Sequence, residues 1–121
     1  MFPDPQSLTL AGSSISLARV KTTSNGAETS SVYQNADESL VLTITHKRTT
    51  KGRIRTEIRQ DWKKIVTNPL DSTNDYDSTS VYTVIDRPLY GFSITDIDNL
   101  VITQKGWMTT TNVTKLYGQE S

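Results

Sequence analysis

One segment constrains this chain more than any other. From Arg53 to Val66 the even positions read Ile54, Thr56, Ile58, Gln60, Trp62, Lys64, Val66. The odd positions read Arg53, Arg55, Glu57, Arg59, Asp61, Lys63, Ile65. Successive side chains of a strand point to opposite faces, so this segment makes a strand with one largely apolar face and one charged face. A helix would scatter the same residues around its axis. The segment from Ser39 to Arg48 repeats the pattern, with Leu40, Leu42, Ile44 and His46 against Val41, Thr43, Thr45 and Lys47. From Ser80 the sets are Val81, Thr83, Ile85 against Ser80, Tyr82, Val84, Asp86.

Turn clusters separate these runs: Ala11-Gly12-Ser13, Ser24-Asn25-Gly26, Asn35-Ala36-Asp37, Thr50-Lys51-Gly52, and a long stretch over Thr67–Ser78. Strands are predicted at about 7–11, 14–23, 28–34, 39–48, 53–66 and 79–87. Short turns between consecutive strands imply an antiparallel meander. Near the end the period changes. Thr95 is the expected cap of a first helix, with Asp98 three residues on, and Ile97, Leu100, Val101, Gln104 and Met108 follow at helical spacing. Asn112 is the expected cap of a second, carrying Val113, Leu116 and Tyr117 and ended by Gly118. The class is α+β in a single domain over residues 1–121, with sheet to about 87 and helices over about 95–117.

Area sets a further expectation. Five strands of seven residues present a face of roughly 24 by 23 Å. A helix of about 12 residues is roughly 18 Å long and a second of about six roughly 9 Å. Together they shade about half of that face. A second copy is expected to supply the remaining cover, so the folding unit is expected to be a dimer.

Charge locates the other face. The chain has 13 basic and 13 acidic side chains. Between His46 and Lys64 stand eight basic against two acidic residues, a net of +6; the remainder carries five against eleven, or −6. Arg53, Arg55, Arg59, Lys63 and Lys47 project with Thr43, Thr45 and Tyr82. Cationic side chains neutralise phosphate, hydroxyls bond base edges, and a tyrosine ring stacks on an unpaired base. A solvated sheet face with cross-strand ion pairs has the same pattern.

Other signals narrow the class. The absence of cysteine excludes disulfides and thiolate metal sites, and fits maturation in a reducing compartment. A lone histidine argues against a multi-histidine metal site or a Ser-His-Asp triad, and no nucleophile, carboxylate pair or Gly-rich phosphate loop points to an enzyme. No stretch reaches the roughly 18 apolar residues of a membrane span. Met1 to Gln6 lacks the basic start and apolar run of a secretion signal. Asp71, Asp75 and Asp77 offer oxygen ligands for calcium, but without the glycine and terminal glutamate of a calcium loop. No cofactor is expected beyond that.

The order of elements resembles the coat proteins of the small single-stranded RNA bacteriophages, the levivirus group. The residues that carry the resemblance are Ser7-Leu8-Thr9-Leu10-Ala11-Gly12, the pair Leu40–Lys47 and Gly52–Lys63, the run Ser80–Pro88 entering the helices, and the tail Lys115–Ser121. The resemblance implies an N-terminal β-hairpin, a five-stranded antiparallel sheet and two C-terminal helices. It also implies an interlocked dimer with a ten-stranded sheet, and a T=3 icosahedral shell of dimers whose sheets face packaged RNA. It implies repression of replicase translation by binding an RNA hairpin, and a virion location after assembly in the host cytoplasm.

Carried over by resemblance, Thr43 and Thr45 line an adenine pocket, Arg55 is its basic residue and Glu57 the acidic neighbour. Lys47 contacts phosphate and Tyr82 stacks on a loop base. Val84 stands where asparagine is common, and Arg53 and Arg59 stand where some members carry non-basic residues. Asn68, Pro69, Asp71, Asp75 and Asp77 fall in the loop between dimers. Ile58, Trp62, Ile97, Leu100, Val101 and Trp107 fall in the core or dimer contact. The implied partners are a second copy and single-stranded RNA, with no membrane and no small-molecule substrate. The alternative is a stand-alone dimeric RNA-binding regulatory β-sheet domain that forms no shell.

Overall fold

A computed structural model describes residues 2–121. Six strands pair in chain order in one antiparallel sheet: β1 Gln6–Leu10, β2 Ser13–Asn25, β3 Glu28–Gln34, β4 Leu40–Arg48, β5 Arg53–Thr67 and β6 Asn74–Pro88. Two helices follow, α1 Ile94–Trp107 and α2 Thr110–Tyr117. The described residues up to Arg87 and those from Pro88 onward form two compact units. The α+β class and the meander are as expected.

The six predicted strands form one continuous six-stranded sheet, in which the N-terminal hairpin and the five strands from β2 onward overlap because β2 belongs to both. Strand β2 is 13 residues long, pairing with β1 through its first half and with β3 through its second. The register shifts between Arg19 and Lys21, where one extra residue bends the strand. The β1–β2 turn is two residues, Ala11 at φ 52° and Gly12 at φ 82°. Positive φ at both central positions matches the twist of the flanking strands, and glycine takes it without steric cost.

The core lies on the apolar side of the sheet. Leu17, Tyr33, Leu40, Leu42 and Ile44 are buried, and Leu8, Leu10, Ile15, Ile58 and Trp62 pack against them. The alternation of β4 is therefore as read, and Ile58 and Trp62 join the core as expected. What covers this face within the chain was not expected: it is the N-terminal hairpin, through Leu8, Leu10 and Ile15. Arg19 ties the preceding segment down. Its backbone N–H donates to Asp4 Oδ1 at 2.9 Å and its Nη2 to the Phe2 carbonyl at 3.0 Å.

Neither helix has a buried residue. Leu100 at 69% exposure and Trp107 at 56% are not core residues of the single chain, while Ile97 and Val101 are half-buried. Both caps are also corrected. Ser93, not Thr95, caps α1: its hydroxyl accepts from the Asp96 N–H, and the Asp96 carboxylate accepts from the Ser93 N–H. Thr109 caps α2 by accepting from the Asn112 N–H, so Asn112 is inside the helix. In each case a hydroxyl three residues ahead of a polar side chain satisfies an N–H that the helix itself leaves unpaired.

The long loop is shorter than expected. Pairing continues past Ser78, and only 68–73 connects β5 to β6. The Asn68 N–H donates to the Thr73 carbonyl at 2.8 Å, and Thr67 Oγ1 donates to Asn74 Oδ1 at 2.7 Å. Backbone pairing holds this end of the hairpin without buried side chains, so no apolar alternation marks it. Asn68, Pro69 and Asp71 lie in or beside the turn, whereas Asp75 and Asp77 lie in β6.

Candidate nucleic-acid interface

The face opposite the core is assembled from register. Across β4 and β5, Thr43 stands opposite Arg59, Thr45 opposite Glu57, and Lys47 opposite Arg55. Across β3 and β4, Glu28 is opposite Lys47, Ser30 opposite Thr45, and Val32 opposite Thr43. Thr45 Oγ1 and Ser30 Oγ lie 3.3 Å apart. Ser30 widens the hydroxyl row that Thr43 and Thr45 begin; the neighbouring strand of that row was not read from the sequence.

β6 contributes its even positions to the same face. Arg53 Nε donates to Asp86 Oδ1 at 2.9 Å. Arg59 Nε donates to Asp61 Oδ1 at 3.1 Å, its Nη2 donates to Ser80 Oγ at 3.3 Å, and its guanidinium carbon lies 5.7 Å from the centre of the Tyr82 ring. The Ser80 hydroxyl also donates to Asp61. Thus Thr43, Thr45, Lys47, Arg53, Arg55, Glu57, Arg59, Lys63, Tyr82 and Val84 do share one side of the sheet.

Their electrostatics differ. Arg53 and Arg59 are partly neutralised by Asp86 and Asp61. Arg55 and Lys47 have no ion pair among the described residues and are exposed. Glu57 is a half-buried carboxylate between Arg55 and Arg59 that also lacks an ion pair there. The arrangement presents unpaired cations near the turn end of the β4–β5 pair and exposed aromatic rings on β6. Unpaired cations attract polyanions, and exposed rings offer stacking surfaces.

One aromatic residue was missed. The expected loop over Thr67–Ser78 includes Tyr76, yet Tyr76 lies in β6 with Lys63 Nζ 4.8 Å from its ring centre. Tyr76, Ser78, Ser80 and Tyr82 keep one parity, and that was the available signal.

Elsewhere, His46 lies on the apolar side, where Nδ1 and Thr56 Oγ1 are 3.0 Å apart. It borders an open groove of about 630 Å³ with Phe2, Pro3, Tyr33 and Ile44. The described residues hold no group of three or more His, Asp or Glu side chains arranged for a metal ion, so Asp71, Asp75 and Asp77 do not converge. Hydrogen bonds from the Thr73 hydroxyl and N–H lower the Asp71 pKa. No helix among the described residues is long and apolar enough to cross a membrane.

Solved structures share this architecture. The virus-like particle of bacteriophage AVE019 is similar over 89% of this chain and 87% of its own, at 12% identity and a TM-score of 0.68. That of Beihai levi-like virus 21 is similar over 98% and 95%, at 9% identity and a TM-score of 0.68. The bacteriophage EMS014 coat protein is similar over 87% and 72%, at 13% identity and a TM-score of 0.55. No protein-family model matches the chain. No curated protein matches it. At these identities the likeness is one of fold: a coat-protein sheet followed by two helices.

Proposed function

We propose that this chain is the coat protein of a levivirus-like RNA bacteriophage, assembling as dimers into a closed shell that packages single-stranded RNA. The observation that carries this is the pairing of a coat-protein fold with one sheet face that presents unpaired Lys47 and Arg55 side by side across β4 and β5. A structural protein needs no pocket chemistry, and nothing in this site calls for catalysis.

Dimerisation is supported by two features. β6 is a 15-residue edge strand, and an unpaired edge is a template for another strand. Both helices carry exposed apolar side chains, Leu100, Ile102, Trp107, Val113 and Leu116 among them. In the proposed dimer two β6 edges meet in one continuous sheet, and each copy's helices cover apolar surface of the other. The shell would form in the bacterial host cytoplasm and leave as the virion.

Thr43, Thr45, Lys47, Arg55 and Glu57 are proposed as the centre of the RNA contact, with Tyr82 as a stacking ring. Binding one hairpin of the genome there would repress replicase translation. Calcium has no part in this proposal.

Electron microscopy of the protein purified from an expressing bacterium tests it. Closed particles of uniform size, with a 260-to-280 nm absorbance ratio typical of nucleoprotein, are expected. Only small species under assembly conditions would overturn the shell assignment. Closed particles with the absorbance of pure protein would overturn the RNA assignment.

A further inference from the structure

We propose that Tyr76 and Lys63 form a second stacking position for an unpaired base of single-stranded RNA, separate from the one at Tyr82. This rests on the RNA-packaging function proposed above and extends its path along β6.

The two rings are built alike. Lys63 Nζ lies 4.8 Å from the Tyr76 ring centre, as the Arg59 guanidinium lies 5.7 Å from that of Tyr82. The residues are 61% and 59% exposed. Neither ring belongs to the core, and among the described residues the Tyr76 hydroxyl has no protein partner. A cation beside an exposed ring can neutralise a phosphate while the ring takes the base.

The surface between them suits a polyanion. Ser78 and Ser80 keep the parity of the two tyrosines, so hydroxyls line the way. The one acid there, Asp61, is engaged by Arg59 and Ser80. Asp75 and Asp77 have the opposite parity, and their carboxylates accept from the Tyr76 and Ser78 backbone N–H groups at 2.7 and 2.8 Å. Tyr82 lies six positions beyond Tyr76, about 20 Å along a strand. That distance spans several nucleotides, so one RNA strand reaches both and a very short one does not.

The test uses the full chain, freed of RNA and kept under non-assembling conditions, with oligoadenylates of 4 and 12 nucleotides. Tyr76→Ala should weaken the 12-mer about five-fold to a hundred-fold, the range of one base stacked on a ring. It should leave the 4-mer unchanged, because Tyr82 still holds it. Tyr82→Ala should weaken both. Tyr76→Phe should retain 12-mer binding; a loss equal to that of Tyr76→Ala would overturn stacking in favour of a hydroxyl contact. Lys63→Gln, which leaves the ring in place, should weaken the 12-mer and lower its salt dependence, and no change in either would count against the site. Normal 12-mer binding by Tyr76→Ala with impaired binding by Tyr82→Ala would overturn this inference alone. No binding of either oligonucleotide by the unaltered chain would overturn the RNA-packaging function as well.

Discussion

Lys47 and Arg55 stand directly opposite each other across β4 and β5, both exposed and neither in an ion pair among the described residues. Like charges directly opposed in a sheet destabilise it by a few tenths of a kcal/mol to about 1 kcal/mol. A bound phosphate between them reverses the sign. Arg55→Gln should therefore leave the RNA-free protein as stable as before, or more stable by under about 1 kcal/mol. The same change should weaken RNA by about 1–3 kcal/mol and reduce the slope of log affinity against log salt by about 0.7. Urea melts and binding at several salt concentrations measure the two effects. Loss of both stability and affinity would mean that Arg55 holds the sheet together.

Thr45 is half-buried between Ser30 and Glu57, with Oγ1 3.3 Å from the Ser30 hydroxyl. Replacement by valine keeps the β-branched shape and removes the hydroxyl. Thr45→Val should change stability by less than about 1.5 kcal/mol. A base-edge contact made by that hydroxyl is worth about 1–3 kcal/mol in hairpin affinity, while general phosphate binding should persist. Hairpin and unstructured RNA compared by filter binding decide this, and an equal loss on both would remove Thr45 from base recognition.

Leu17 is fully buried where the N-terminal hairpin meets the sheet, beside Tyr33 and Leu42. Leu17→Ala removes buried methyl groups and leaves a cavity, at a cost of about 2–5 kcal/mol. Equilibrium denaturation should show that loss. A cost below about 1 kcal/mol would mean that the hairpin is not needed as cover.

The residues that were legible from sequence are those whose environment imposes a period. Leu40, Leu42 and Ile44 alternate because every second side chain enters the core, and Lys47, Arg55 and Arg59 alternate because the rest meet water. Gly12 was legible because its turn needs positive φ. The start of β6 was not legible: Asn74–Ser78 is held by backbone pairing and buries nothing, so its side chains carry no pattern of burial. That concealed Tyr76. The helix caps were misplaced for another reason. Ser93 and Thr95 each have an aspartate three residues on, Asp96 and Asp98, and only backbone geometry decides which hydroxyl reaches an unpaired N–H. The cover supplied by β1 was missed because a five-residue strand gives too few positions to show what it packs against.

Asp71 reads the order of the 68–73 turn. Its pKa is lowered first by the Thr73 hydroxyl, 2.7 Å away, and then by the Thr73 N–H at 3.1 Å. A carboxylate with a depressed folded pKa stabilises the fold above its unfolded pKa, and that contribution is lost as pH falls through the folded value. The turn should hold at neutral pH and loosen only in acid, below the ordinary aspartate range. Thr73→Val should move the Asp71 titration, followed by NMR, upward toward that range. An unmoved titration would mean that the hydroxyl bond does not persist in solution.

Trp107 offers a direct readout of the proposed dimer. It is 56% exposed in the single chain, on a helix that also exposes Leu100 and Ile102. Trp62, the other tryptophan, packs against the core of its own sheet and would obscure the signal. Trp62→Phe isolates Trp107 with a ring of smaller but similar apolar character. If a second copy covers α1, Trp107 emission should shift to shorter wavelength as protein concentration rises, and its quenching by iodide should fall over the same range. Sedimentation fixes where the dimer forms, and the three transitions should coincide. Dimers that leave Trp107 open to iodide would place the contact away from this helix face, and the proposed exchange of helical cover would be wrong.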